Sequence, residues 1–272
     1  MNWPPRKLSL GCVHNLEMKP MNPHLFELAS PETNSLATAL RSAYAGARKP
    51  NAYLFKFLSV MLGLLTLTAH AADGFKPLYN GKDLSGWHVK DSRFQNWVPN
   101  GKILLCKKGE VGIANGNGWL TTDKEYGDFI LCVEWKLPAG GNSGVAIRYP
   151  KEGEPAHEGM EIQMLDDKSP DNAKRPPEEL SGSLYVEVAP LRKTDKPVGE
   201  WNKTEITCKG SMLTVKNNGV ETLNLDLDDL KILHGHHTQY KPVSQRPRKG
   251  FIGLQGDRGM RVEFRNILIK EL

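Results

Sequence analysis

The chain has 272 residues with 36 Lys and Arg against 31 Asp and Glu, a formal net charge of +5, and 39% hydrophobic residues. Seven of the basic residues and three of the acidic ones precede residue 72; without them 29 and 28 remain, a net of about +1, so no basic field argues for a nucleic-acid partner. Three cysteines lie beyond that point, Cys106, Cys132 and Cys208, with no C-x-x-C spacing, which argues against a zinc-thiolate site and predicts buried, inert thiols.

The first element is a leader. Leu54 to Thr68 is an apolar run interrupted only by Lys56, with Arg48 and Lys49 upstream and Ala69-His70-Ala71 behind it. That order is the basic, apolar and small-residue pattern of a signal peptide cleaved before Ala72, and the run is shorter than the ~20 residues a membrane span requires. The expected organisation is therefore residues 1–71 as N-terminal extension and signal peptide and residues 72–272 as one domain. It implies a periplasmic or secreted protein with no stable membrane insertion after cleavage. Residues 1–50 lack periodicity and carry no assigned function.

From Gly74 onward, Gly, Pro, Asn and Asp punctuate short segments of alternating apolar residues. The spacing predicts an all-β sandwich or jelly roll, with one or two helical turns at most around Asp226 to Leu233. Asn115-Gly116-Asn117-Gly118 reads as a turn. In Asp128 to Leu137, Phe129, Leu131, Val133, Trp135 and Leu137 share one face, and Ile130, Cys132, Glu134 and Lys136 the other. After a Pro-Ala-Gly-Gly-Asn turn, Val145, Ile147 and Tyr149 oppose Gly144, Ala146 and Arg148. In Gly159 to Asp166, Met160, Ile162 and Met164 oppose Glu161, Gln163 and Leu165. If the three strands are neighbours in one sheet, Glu134, Arg148, Glu161 and Gln163 form a polar floor. The bland alternative is the ordinary wet side of a sheet. Gly144 and Ala146, which leave room above it, and the Pro-rich and charged segment 167–181, long enough to form a rim, favour the floor.

Six stretches in order, Phe75 to Trp87 (FKPLYNGKDLSGW), Asn142 to Arg148 (NSGVAIR), Gly159 to Asp167 (GMEIQMLDD), Gly199 to Asn202 (GEWN), Gly250 to Gln255 (GFIGLQ) and Val262 to Leu272 (VEFRNILIKEL), resemble the 3-keto-disaccharide hydrolase domain family. The resemblance covers nearly all of Gly74 to Leu272. It implies a concanavalin A-like jelly roll and a secreted or periplasmic enzyme acting on sugars oxidised at C3. The family often has a His-Gly pair shortly after its last Leu-Gln, whereas Arg258 stands there in this chain.

A ketone at C3 acidifies the hydrogen on C2, so the bond from C1 to the leaving group can break by elimination and water can add afterwards. Such a site needs a base near C2, a group that stabilises the enolate oxygen, and an acid for the leaving group. Glu161 is the first candidate for the base, because desolvation raises a carboxylate's basicity. Arg148 is the candidate for the oxyanion, Glu134 for a second carboxylate or a partner of Arg148, and His157 for the acid. Gln163, Trp201, Asn202 and Gln255 are the substrate-binding candidates, with Trp87, Trp97 and Trp119 as further sugar platforms unless they belong to the core. Asp166 suits a turn or a metal-supporting role, while Glu158 and Asp167 read as solvated. His234-Gly235-His236-His237 looks like a metal cluster but lacks a carboxylate at close spacing and lies in an expected loop, so no ligand set is assigned and a divalent metal stays open. Two other readings stay open: a non-catalytic carbohydrate-binding jelly roll, and a two-carboxylate glycosidase using Glu134 and Glu161, which requires a carboxyl separation of about 5 to 9.5 Å.

Overall fold

The structure, a computed structural model, describes residues 74–90, 97–107, 118–231, 240–256 and 260–272, all within one compact unit, Leu64–Leu272. The leader and its cleavage site, the cluster at 234–237, Asn115 to Asn117 and Arg258 lie outside the described residues.

Among the described residues, thirteen strands build a jelly-roll β-sandwich: β1 (Lys76–Pro77), β2 (Trp87–Val89), β3 (Trp97–Asn100), β4 (Ile103–Cys106), β5 (Gly118–Thr122), β6 (Phe129–Lys136), β7 (Asn142–Tyr149), β8 (Met160–Leu165), β9 (Asn202–Lys209), β10 (Met212–Asn217), β11 (Val220–Asp226), β12 (Phe251–Gly256) and β13 (Val262–Glu271). A one-turn helix, α1 (Pro155–Glu158), links β7 to β8. The expected helical turn after β11 is a single 3-10 turn, Leu227–Asp229.

An eight-stranded antiparallel sheet runs β11-β10-β9-β6-β13-β4-β3, with β1 also on β13, and a five-stranded sheet runs β2-β5-β12-β7-β8. Alternation puts Leu131, Val133, Ile206 and Phe264 of the large sheet against Val145, Ile147, Met160, Ile162 and Leu254 of the small one, all essentially inaccessible. Each such side chain contributes roughly 1.5–3 kcal/mol relative to exposure. Trp87, Trp97 and Trp135 belong to this core, with Trp87 Nε1 donating to Leu78 O and Trp135 Nε1 to Thr204 Oγ1. The three cysteines are buried and form no disulfide; burial pushes the Cys132 thiol up to about 11 and that of Cys208 up to about 12, which keeps both protonated and unreactive.

Two parts of the expected floor are corrected by this topology. Strand β6 belongs to the large sheet and β7 to the small one, because the Pro138 to Gly141 turn carries the chain across the sandwich. Glu134 therefore lies on the outer face of the large sheet, where its carboxylate accepts from Arg265 Nε at 2.7 Å and Asn266 Nδ2 at 2.9 Å. The other correction is a bulge in β7. Ala146 pairs with Gly253 of β12, yet Tyr149 pairs with Phe251, so three steps on β7 match two on β12. Arg148 adopts φ 51° at this point, and Tyr149 rather than Arg148 continues the floor. Arg148, inaccessible to solvent, reaches away to tie Gly127 O, Gly210 O and Asp128 Oδ1.

Candidate active site

The register of the small sheet defines the outer face that opposes the core. Glu161 pairs with Ala146, Ala146 with Gly253, and Gly253 with Thr121. One step along, Gln163 pairs with Gly144, and Gln255 pairs with Trp119. Residues paired across a ladder point the same way, so Glu161, Gln163, Gln255, Trp119 and Thr121 share this face, with Gly144, Ala146 and Gly253 low between them. Three strands thus present large side chains around a floor of small ones.

Glu161 is the centre of this arrangement. Its residue is 1% exposed, and its Oε1 has no hydrogen-bond partner among the described residues. The carboxyl lies over Gly144, where a Cβ would stand 1.9 Å from Oε1, so only glycine leaves space for it. Burial first, and the neighbouring Glu154 carboxylate second, hold the Glu161 carboxyl well above the ordinary carboxylate range. A buried polar atom left without a partner is uncommon, and in a cleft it is a place where a ligand supplies the missing bond. Gln255 Oε1 and Asn142 Oδ1 on the same face are likewise buried and without partners among the described residues. Three acceptors on three adjacent strands can receive hydroxyl donors from one polyol, or hold a hard cation.

Glu154 and Trp119 extend the site toward α1. Trp119 Nε1 donates to Glu154 Oε1 at 3.2 Å, and desolvation raises the Glu154 carboxyl despite that bond and the nearby Lys90. Glu154 is exposed as a residue, so its shift is the smaller of the two. Tyr149, brought in by the bulge, donates its hydroxyl to Thr121 Oγ1 at 2.5 Å, and burial pushes its phenol up. His157 on α1 stacks on Tyr240 with centroids 4.6 Å apart and stands 6.0 Å from Tyr185.

Beyond the segment 167–181 expected as a rim, the chain adds an edge to β8. Gln163 N donates to Ser183 O, Gly182 N to Gln163 O and Tyr185 N to Glu161 O, so 182–185 runs along β8. Asp166 makes the turn, accepting Gly140 N at 2.8 Å. Asp167, read from the sequence as solvated, instead accepts Ser181 N at 2.9 Å and faces Lys193 at 3.5 Å. Glu158 is half-buried beside the Glu154 amide. A buried ion pair between Arg246 and Glu187, together with Arg246 Nη1 to Gly159 O at 3.1 Å, clamps this edge.

The structure brings Glu161, Gln163 and Gln255 together and puts His157 at one end of the same face. Arg148 and Glu134 are elsewhere, for the reasons given above. Trp201 also departs from the expected groove: it packs on the outer face of the large sheet under Arg265, 4.0 Å from the ring centroid, and Lys136, at 4.9 Å. Asn202 holds a turn, its Oδ1 accepting Lys196 N at 2.9 Å and Asn218 Nδ2 at 2.8 Å, and lines a separate cleft of about 280 Å³. Glu154, Tyr149 and Tyr185 escaped sequence reasoning. The Glu-Pro step that opens α1 is the one local signal that could have pointed to Glu154, and nothing local marks the bulge that delivers Tyr149. No group of three or more His, Cys, Asp and Glu suited to a metal ion exists among the described residues.

Residues 74–270 match the 3-keto-alpha-glucoside-1,2-lyase-like domain family. A protein of Bacteroides thetaiotaomicron named 3-keto-disaccharide hydrolase is 29% identical over 231 residues, covering 74% of this chain and 79% of that protein. Two crystal structures of candidate glycosyl hydrolases from Parabacteroides distasonis superpose on the chain. One has a TM-score of 0.62 at 28% identity, covering 73% of this chain and 99% of its own. The other has a TM-score of 0.53 at 26% identity, covering 73% and 84% respectively.

Proposed function

Because the chain belongs to the 3-keto-alpha-glucoside-1,2-lyase-like domain family, and so is a glycoside-cleaving protein at the coarse level, we propose that it cleaves glycosides oxidised at C3 with Glu161 as the base. The observation that carries this reading is the buried Glu161 carboxyl, whose Oε1 has no partner among the described residues, lying over Gly144 between Gln163 and Gln255.

Glu161 removes the proton from C2; the C–H electron pair forms the C1–C2 double bond conjugated with the C3 ketone; the C1–O bond breaks, and its electrons leave with the aglycone oxygen. The proton taken by Glu161 returns to that oxygen, so the products are a neutral enone and the free alcohol, and water added to the enone completes a net hydrolysis. A carboxylate held in a dry pocket is a stronger base than one in water, which suits abstraction from carbon. The amide groups of Gln163 and Gln255 orient the sugar through its hydroxyls, and Glu154 is the second carboxylate within reach of the same field.

The leader pattern at Leu54 to Ala71 supports a periplasmic or secreted location; N-terminal sequencing of the protein recovered from its host's periplasm or medium tests that, with Ala72 as the expected first residue. For the reaction, aglycone release from a 3-keto-glucoside is measured with the wild type and Glu161→Gln, each with and without a chelator. Release by the wild type and a loss on the order of 10³-fold in the variant are expected. Equal release by both removes Glu161 from the chemistry.

A further inference from the structure

Glu161 divides its face into two unlike halves. Along β8 and its neighbours the order is Asn142, then Gln163 with Gly144 and Gln255, then Glu161 with Ala146 and Gly253, then Tyr149 with Phe251 beneath α1. On one side of the carboxyl stand amides, two of them with buried acceptors that lack partners among the described residues. On the other side stand rings. Trp119 and Tyr149 flank Gly253 so closely that a Cβ there would approach Trp119 Cε3 to 3.0 Å and the Tyr149 hydroxyl to 3.1 Å. The Phe251 ring lies 6.0 Å from that of Tyr149, and Tyr185 packs against the same cluster. Phe251, Tyr185 and the stacked His157–Tyr240 pair are each half-buried, unlike the inaccessible rings of the core.

The reaction fixes how a substrate lies across these halves. Glu161 must reach C2, whose neighbour C1 carries the leaving group. Sugar hydroxyls match the amide side, so the leaving group points toward the rings. A sugar leaving group would bring three or four hydroxyls there, more than the Glu154 carboxylate beside Trp119 can receive, whereas a planar aromatic one needs ring faces. A phenol oxygen also spreads developing charge into its ring, which lowers the demand for an acid at C1–O.

Resting on the proposed reaction, we propose that the ring side is an aglycone subsite for planar aromatic leaving groups, built chiefly by Phe251 and Tyr185, so that the preferred substrates are 3-keto-glucosides of phenols rather than of sugars.

The test compares a phenyl 3-keto-glucoside, methyl 3-keto-glucoside and a 3-keto-disaccharide with the full chain and with Phe251→Ala/Tyr185→Ala. The double variant is expected to lose about 10-fold in kcat/KM on the phenyl substrate, mostly through KM, and less than about 3-fold on the methyl one, since each ring contact is worth about a factor of 2–10. Equal losses on both substrates, or a wild-type preference for the disaccharide that the variant retains, overturn the proposal. Absence of wild-type turnover on all three substrates would refute the reaction instead. Calorimetric binding of phenyl and methyl glucoside then decides the subsite on its own, and equal affinities overturn it.

Discussion

Replacing Glu161 with glutamine removes a titrating group from a dry site while keeping its size, and this separates the electrostatics of the pocket from its packing. In the unfolded chain a glutamate titrates near pH ~4.3. Folded, burial and the Glu154 carboxylate hold Glu161 well above that. Between those two values the folded chain binds one proton more than the unfolded chain. Unfolding free energy therefore falls with rising pH, by about 1.4 kcal/mol per unit. The contribution is fully present below the unfolded value, is lost progressively up to the folded one, and is flat above it. Glutamine cannot titrate, so the variant lacks this slope, whatever the fixed effect of its amide on packing. Urea unfolding of both proteins from pH 4 to 8 reads the difference directly; the variant gains on the wild type as pH rises. Curves that stay parallel within ~0.5 kcal/mol across the range would refute the claim that burial and Glu154 hold this carboxyl above its ordinary range.

Other expectations follow from the same geometry. The pH profile of kcat/KM on a 3-keto-glucoside rises with pH, because the base must first lose its proton, and its ascending limb lies well above the ordinary carboxylate range; a limb near pH ~4 contradicts it. Gly144→Ala, whose Cβ would stand 1.9 Å from Glu161 Oε1, displaces the carboxyl and costs on the order of 10²-fold in kcat/KM, with a stability loss of about 1–3 kcal/mol in urea unfolding from the overpacked site. Arg246→Leu leaves Glu187 buried and unpaired and destabilises the chain by about 3–5 kcal/mol; Arg246→Leu/Glu187→Leu costs less than the single change, as calorimetry of the two variants would show.

Much of the site is legible in one strand. Parity alone separates Met160, Ile162 and Met164 from Glu161 and Gln163, and Gly144 and Ala146 mark the room above the neighbouring strand. Parity does not reveal that both sides of β8 are buried, which turns Glu161 from a solvated carboxylate into a desolvated base. Glu134 was misplaced because neighbours in sequence need not share a sheet, and a short Pro-Gly turn can pass from one layer to the other as readily as it closes a hairpin. Arg148 was misplaced because period-2 reasoning assumes an unbroken ladder; one extra residue in β7, stabilised by the bonds of Arg148 to Gly127, Gly210 and Asp128, exchanges the faces of Arg148 and Tyr149. Glu154 reaches the face only through α1 and its bond from Trp119, a meeting of residues 35 apart that no local pattern announces.

The isotope effect at C2 bears most directly on the proposed chemistry. A 3-keto-glucoside carrying deuterium at C2 is compared with its protium form under kcat/KM conditions with the wild-type chain. Proton abstraction by Glu161 predicts a primary effect, slower cleavage of the deuterated substrate, and no cleavage of the unoxidised glucoside. An effect of unity together with cleavage of the unoxidised glucoside would contradict the base role of Glu161 and point to direct displacement at C1.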